Sequence, residues 1–250
     1  MTALLEVVGL SKAFGGLRAV QDVSLQVPAG SLTALIGPNG AGKTTLFALM
    51  SGFLRPDQGR VLLAGQDITG QAPHINAALG LTRTFQIVQP FAAQTVRENI
   101  AVGAHLHLRH RHQALARAEE VAHQVGLDSQ LDKPASDLTV AGRKRLEMAR
   151  ALATRPRLLL LDEVLAGLNP QEINEMIPVV QGLVTQGVTV LMIEHVMQAV
   201  MHLAQQVWVL AQGQLIAHGT PTEVTQDERV IEAYLGHGTA ARLKAQRGAA

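Results

Sequence analysis

Residues 37–45 read Gly37-Pro38-Asn39-Gly40-Ala41-Gly42-Lys43-Thr44-Thr45 and match the phosphate-binding pattern G-x-x-x-x-G-K-[ST] in full. The apolar run Leu32–Ile36 before this loop is typical of a buried strand, and residues 46–50 after it are typical of a helix. Backbone N–H groups of such a loop, and of the helix N-terminus, point inward at phosphate oxygens. The stretch therefore predicts a strand, a glycine loop and a helix that together form an anion site.

Each residue type in the loop has a physical reason. Gly37, Gly40 and Gly42 allow backbone conformations and close approaches that a Cβ atom would block. The Lys43 side chain can reach the β- and γ-phosphates of a nucleotide, and the Thr44 hydroxyl can bind Mg²⁺. The residues predicted to bind the nucleotide in this loop are Gly37, Asn39, Gly40, Gly42, Lys43, Thr44 and Thr45.

The composition limits the class of protein. The chain has 250 residues, enough for one large α/β domain, and its formal net charge of +1 argues against a protein that coats nucleic acid. There is no cysteine, so disulfides are excluded. The first residues lack a basic segment and are not typical of a signal peptide. No apolar run approaches the roughly 20 residues of a membrane-spanning helix. We expect a soluble protein, or one that reaches a membrane only through a partner.

Strands that alternate with helices predict an α/β fold with a mostly parallel core sheet. Antiparallel strands are expected at both ends of the chain, at residues 4–9 and 22–27 and in a hairpin over 207–217. Residues 81–99 are predicted to be mostly irregular. We interpret 1–250 as a single domain, with a helical subdomain inserted at about 88–154.

Polar side chains follow two further apolar strands. Residues 158–161 are four leucines, followed by Asp162 and Glu163, and the apolar residues 190–193 are followed by Glu194 and His195. Ligands of open α/β sheets sit at the carboxyl ends of the strands. Asp162 is therefore predicted to hold Mg²⁺, Glu163 to orient or deprotonate the attacking water, and His195 to contact the γ-phosphate.

The phosphate loop, Gln86, the leucine strand with Asp162-Glu163, and His195 resemble the ATP-binding-cassette (ABC) ATPase family in their order and spacing. The resemblance covers nearly the whole chain and implies a P-loop ATPase with a small antiparallel β-subdomain and a helical subdomain. It further implies that Phe14 stacks on adenine, and that Gln86 senses Mg²⁺ and the attacking water from a loop that contacts the transport partner.

The family also has a short Leu-Ser-Gly-Gly-Gln segment that caps the ATP of the opposite subunit. The matching stretch here is Leu138-Thr139-Val140-Ala141-Gly142, which we call the capping segment. Thr139 keeps a hydroxyl for the γ-phosphate, whereas Ala141 and Gly142 stand where glycine and glutamine are usual. Val164 and Asn169 likewise replace proline and aspartate. These departures concern the capping of the partner's ATP and leave this chain's own phosphate loop intact.

Five shorter stretches resemble the ATPase subunits of branched-chain amino acid importers and of relatives that handle urea and amides. They are Arg83-Thr84-Phe85-Gln86, Thr95-Val96-Arg97-Glu98-Asn99, Ala166-Gly167-Leu168-Asn169-Pro170, Glu194-His195-Val196-Met197 and Val230-Ile231-Glu232-Ala233-Tyr234-Leu235-Gly236. The resemblance implies Mg-ATP hydrolysis by a head-to-tail homo- or heterodimer of ATPase subunits. It also implies transmembrane permease subunits as partners, a solute-binding protein as an indirect one, and a cytoplasmic position on the inner face of the membrane.

Other functions stay open at this point. One alternative is an ATPase that drives lipid or polysaccharide export. Another is a regulatory subunit that binds ATP without hydrolysing it. A soluble ATPase of DNA repair or translation is disfavoured, because those proteins have tandem cassettes or much longer chains.

The histidines at 105, 107, 110 and 112 suggest metal binding, but we interpret them as a solvated basic loop. The basic run at 143–145 is interpreted as a solvated helix face, and no nucleic-acid partner is expected.

Overall fold

The computed structural model describes residues 2–87 and 89–235. The strands are β1 Ala3–Phe14, β2 Leu17–Pro28, β3 Leu32–Ile36, β4 Gln58–Leu63, β5 Gln66–Asp67, β6 Leu81–Arg83, β7 Leu158–Asp162, β8 Thr189–Ile193, β9 Gln206–Ala211 and β10 Gln214–Gly219. The α-helices are α1 Lys43–Ser51, α2 Pro73–Ala78, α3 Val96–Ala104, α4 Arg111–Val125, α5 Val140–Ala153, α6 Pro170–Thr185, α7 Met197–Leu203, α8 Pro221–Gln226 and α9 Glu228–Leu235.

The central sheet has six strands in the order β10-β9-β3-β8-β7-β6. Adjacent strands from β9 to β6 pair in parallel, and only the β9–β10 hairpin at one edge of the sheet is antiparallel. Every residue of β3, β7 and β8 is buried, as continuous apolar runs in a parallel sheet covered on both faces require. The predicted α/β fold with a mostly parallel core sheet is confirmed.

A second, antiparallel sheet has the order β2-β1-β4-β5. Its first two strands are longer than the predicted 4–9 and 22–27, because β1 and β2 form one hairpin in which Phe14 pairs with Leu17. Gly15 lies at the tip with φ +58°, a left-handed conformation that glycine adopts without strain. The register shifts along this hairpin break the strict alternation on which the sequence prediction depended.

Residues 81–99 are mostly irregular, as predicted, but strand β6 occupies their first three residues and α3 their last four. β6 pairs in parallel with β7 over only three residues, too few to show a period in the sequence. Helix α3 begins at Val96, and its start carries a capping box between Thr95 and Glu98. Three helices, α3, α4 and α5, lie within the range assigned to the helical subdomain, whose first residue, Val88, is outside the described residues.

In the ranges 2–87 and 89–235, no helix has the length and apolar character that crossing a membrane would require.

Candidate functional site

The loop between β3 and α1 forms the floor of a cavity. A Cβ atom at Gly37 would overlap the backbone oxygen of Leu210, and one at Gly42 would overlap that of Ala19. Both glycines also have positive φ, of 154° and 102°. Glycine is therefore required at these two positions, because the loop lies directly against β9 and β2.

Lys43 is the first residue of α1, and its side chain folds back over the loop. Its Nζ donates to the backbone oxygens of Gly37 at 2.8 Å and Pro38 at 3.0 Å. An ammonium has three donors, so one remains for a phosphate oxygen. Burial lowers the pKa of Lys43, while the negative charges of Glu163 and Asp162 act in the opposite direction.

Asp162 is the last residue of β7 and is only 1% exposed. Its Oδ2 accepts a hydrogen bond from Nη2 of Arg83 at 2.7 Å, and its Oδ1 is buried without a hydrogen-bond donor among the described residues. Thr44, Gln86 and Asp162 all line one cavity of about 530 Å³. Hydroxyl, amide and carboxylate oxygens are the ligands that Mg²⁺ prefers, so these residues match a magnesium site.

Glu163 has φ +49°, a left-handed conformation that is unusual for a residue other than glycine. Its N–H donates to the oxygen of Ile193 at 3.0 Å, where β7 meets β8. Its carboxylate Oε2 accepts from Nε2 of Gln86 at 2.7 Å. The structure thus places Gln86 and Glu163, which are 77 residues apart, in direct contact.

Most of the predicted site residues line one cavity of about 800 Å³. They are Phe14, Asn39, Gly40, Gly42, Lys43, Thr44, Thr45, Gln86 and Glu163. Phe14 lies at the end of β1, where the ammonium of Lys12 is 5.7 Å from its ring centre. A site of this size with a basic floor and an aromatic wall suits a nucleotide.

Four predicted residues lie outside the lining of this cavity: Gly37 and Asp162, described above, and His195 and Thr139. His195 is exposed two residues beyond Ile193, which pairs with Asp162 across the sheet. Thr139 is the N-cap of α5, and its Oγ1 accepts from the N–H of Gly142 at 3.1 Å. Each stays a prediction, and Thr139 is predicted to act on a nucleotide held by a partner.

Three charged residues of the site were missed or misread in the sequence. Arg83 pairs with Asp162, and its guanidinium carbon lies 5.5–6.0 Å from the ring centres of Phe47, Phe53 and Phe85. Glu194 is fully buried, and burial raises its pKa to about 7. No signal in the sequence marks these contacts, since they join distant segments of the chain.

Lys144 was interpreted as part of a solvated helix face, and that interpretation is wrong. The residue is 7% exposed, and burial lowers its pKa. It points inward because its position on α5 is one turn before Glu147 and Met148, which lie on the same, buried side of the helix.

The histidine-rich segment connects α3 to α4. Ring nitrogens of His105 and His107 contact the backbone oxygens of Leu108 and Thr154 at 2.9 and 3.1 Å. His112 lies within α4. Across the described ranges no three histidine, aspartate or glutamate side chains are grouped as metal ligands would be.

The chain matches two protein-family models. Residues 20–166 match the family described as ABC transporter. Residues 214–240 match a family described as branched-chain amino acid ATP-binding cassette transporter.

Individual relatives are similar over almost their full length. The high-affinity branched-chain amino acid transport ATP-binding protein BraF of Pseudomonas aeruginosa is 40% identical over 93% of this chain and 98% of its own. The lipopolysaccharide export system ATP-binding protein LptB of Escherichia coli is 36% identical over 94% and 98%. Among solved structures, the ADP conformation of MJ1267, an ATP-binding cassette of an ABC transporter, superposes with a TM-score of 0.85 at 32% identity, over 95% of this chain and all of that one.

Proposed function

Because this chain belongs to the ABC transporter family, we propose that it hydrolyses ATP to power the import of branched-chain amino acids or of related small polar solutes. The observation that carries the proposal is the Gln86–Glu163 contact at the mouth of the phosphate loop, where a water could be oriented beside the terminal phosphate. The match of residues 214–240 to a branched-chain amino acid transporter family supports the solute class.

Nucleotide binding uses the floor and wall of the cavity. The backbone N–H groups between Asn39 and Thr45 surround the phosphates, and Lys43 offers its third donor to a β- or γ-phosphate oxygen. Phe14 presents an exposed ring on which the adenine stacks.

Thr44, Gln86 and Asp162 would hold Mg²⁺, which supplies positive charge to offset the charge that develops on the phosphoryl group. Arg83 fixes the Asp162 carboxylate by occupying its Oδ2, and the Oδ1 atom, which has no hydrogen-bond donor among the described residues, stays available to the ion.

Hydrolysis requires an oriented water. Glu163 accepts the water proton while the water oxygen bonds to the γ-phosphorus and the bond to the β–γ bridging oxygen breaks. Gln86 fixes the Glu163 carboxylate through its amide donor. His195, at the end of the adjacent strand, is assigned to the γ-phosphate.

The capping segment of each subunit faces the phosphate loop of the other in a head-to-tail dimer, which is either a homodimer or a heterodimer of ATPase subunits. Thr139 would contribute its hydroxyl and the start of α5 its N–H groups. Closure excludes water from the two sites.

A docking groove for the permease surrounds Gln86. It is the cavity of about 530 Å³ lined by Thr44, Arg83, Phe85, Gln86, Ile87, Gln89, Glu147, Arg150 and Asp162. Phe53, Phe85, Ile87 and Phe91 are large exposed apolar side chains at or near this groove. Exposed apolar clusters beside a functional loop are typical of interaction sites, so we assign this one to a transmembrane permease subunit at the inner membrane face. A solute-binding protein would act only through that permease.

Lipid or polysaccharide export is the second candidate, because LptB is nearly as similar to the chain as BraF is. The experiment that separates the two isolates the full chain with its native membrane partners. It then measures phosphate release after addition of a co-purifying solute-binding protein with leucine, isoleucine or valine. Stimulation by an amino acid is expected. A complex without a solute-binding protein, stimulated by a glycolipid, would contradict import, and absence of any phosphate release would favour the regulatory subunit.

A further inference from the structure

One lysine lies inside the protein next to the residues assigned to the attacking water. Lys144, on the second turn of α5, is 7% exposed. Its Nζ donates to the backbone oxygen of Gln86 at 3.1 Å and to that of Glu163 at 3.0 Å. The ammonium therefore connects the loop that follows β6 and the loop that follows β7 to α5, the helix that begins at the capping segment.

The Glu163 backbone needs this support. A left-handed φ of +49° at a non-glycine residue is strained and persists only where surrounding contacts determine it. The Glu163 N–H is held by Ile193, and its C=O accepts both from the Lys144 ammonium and from the N–H of Ala166 at 3.2 Å. The ammonium thus stabilises the backbone conformation from which the Glu163 carboxylate reaches Gln86.

Acidic side chains surround Lys144. Burial lowers its pKa, while the negative charges of Glu194, Glu163, Asp162 and Glu147 act in the opposite direction. Hydrogen bonds from a charged donor are shorter and roughly twice as strong as neutral ones. As an ammonium, Lys144 donates to both carbonyl oxygens at once and thereby holds the two loops to α5.

We propose that Lys144 is a positioning residue for ATP hydrolysis, which holds the backbones of Gln86 and Glu163 so that their side chains act on the same water. The inference rests on the proposed function and deepens it. Because Thr139 begins the helix that carries Lys144, the same contact links the segment that would cap the partner's ATP to this chain's own water-binding pair.

The first test compares Lys144→Met with the wild-type full chain. Methionine keeps a long apolar stem but has no donor, so kcat is expected to fall by about tenfold to a hundredfold, as misplacement of a reacting group by about 1 Å does. The KM for ATP, and ATP binding measured by equilibrium dialysis, should change by less than about threefold, because the phosphate loop is untouched. Lys133→Met, at an exposed lysine, is the matched control and should leave both quantities unchanged. An unchanged kcat in Lys144→Met would overturn the proposal.

The second test is a double-mutant cycle with Glu163→Gln. If Lys144 acts through Glu163, adding Lys144→Met to Glu163→Gln should reduce the residual rate far less than it does in the wild type. An equal reduction in both backgrounds would show that the lysine acts elsewhere.

Two further variants separate positioning from folding. Lys144→Arg keeps a cation and its donors and should recover most of the wild-type kcat, whereas Lys144→Gln, which keeps one uncharged donor group, should not. Thermal unfolding identifies any variant that fails to fold. If Lys144→Met is such a variant, Lys144→Gln decides, and a wild-type kcat in it would overturn the proposal. Absence of phosphate release by the wild type would refute the proposed function instead.

Discussion

The acidic residues at the carboxyl ends of β7 and β8 have three different environments. Asp162 is paired with Arg83, Glu163 is bonded by the amide of Gln86, and Glu194 is fully buried. Oε1 of Glu194 accepts from the N–H of Leu165 at 3.0 Å, whereas its Oε2 is buried without a hydrogen-bond donor in the described part of the chain. These differences assign different tasks to neighbouring carboxylates, since only Glu163 lines the nucleotide cavity.

The first prediction concerns the pH dependence of stability. Burial raises the pKa of Glu194 to about 7, so between pH 4.5 and 7 the folded protein binds a proton that the unfolded chain has released. Stability from this group is therefore present below pH 4.5 and is lost as the pH rises through 7. Glu194→Gln removes this loss and keeps an acceptor for Leu165. The free energy of unfolding of Glu194→Gln minus that of wild type should therefore increase between pH 5 and pH 8, by up to about 3 kcal/mol.

Denaturant unfolding of both proteins at several pH values measures this difference. Parallel pH profiles for wild type and Glu194→Gln would contradict it. Gln181→Glu, which adds a titrating group at an exposed position of α6, serves as the control. Gln205→Glu would be unsuitable for this purpose, because the Gln205 side chain accepts a hydrogen bond from the N–H of Leu32.

At the scale of elements, the helices that support the site begin at explicit signals. Helix α1 begins directly after Gly42 in the phosphate loop, and α6 begins after Asn169 with a capping box to Glu172. Asn169 stands where the family usually has aspartate, and it serves the same local purpose, because its side chain accepts the N–H of Glu172 at 3.0 Å. The substitution therefore preserves the start of α6.

The second prediction tests the capping box of α3. Thr95 accepts from the N–H of Glu98, and the Glu98 carboxylate accepts from the N–H of Thr95 in return. Thr95→Ala should reduce stability by about 1 kcal/mol, which corresponds to about 2–4 °C in Tm for a chain of this size. Thr95→Ser keeps the hydroxyl and should melt within about 1 °C of wild type. Equal melting temperatures for the alanine variant and wild type would show that the cap does not stabilise α3.

Local patterns predicted those elements that are long or uniformly apolar. The four leucines before Asp162 and the run before Glu194 are strands as predicted. Residues 37–42 of the predicted phosphate loop lie between β3 and α1, and residues 43–45 form the first turn of α1. The three-residue strand β6 was missed because its pairing with β7 comes from tertiary contacts. Lys144 could not be recognised as buried, since its partners are 58 and 19 residues away in sequence.

At the scale of the whole molecule, the two sheets meet at the nucleotide cavity. The antiparallel sheet contributes Phe14 and the N-terminal part of β2, and the parallel sheet contributes the phosphate loop and Glu163. The docking groove lies next to this cavity, with Thr44 and Gln86 lining both. A partner seated in the groove would therefore lie beside residues that border the nucleotide cavity.

The third prediction tests that groove. Ile87 is 75% exposed, and Ile87→Asp would bury a carboxylate in the proposed permease interface, so co-purification of the permease should fall by at least about tenfold. ATP binding by the isolated chain should be unchanged. Met201→Asp, at a residue 44% exposed on α7, is the control and should assemble normally. Normal assembly of the Ile87 variant would place the permease elsewhere.

The most direct test of the account is phosphate release by Glu163→Gln beside wild type, with ATP affinity measured on the same preparations. Glutamine keeps the shape of the side chain and cannot accept the proton of the attacking water. ATP affinity should therefore stay within about threefold of wild type, while turnover should fall by about a hundredfold or more. A Glu163→Gln protein that binds ATP and releases phosphate at the wild-type rate would contradict the account.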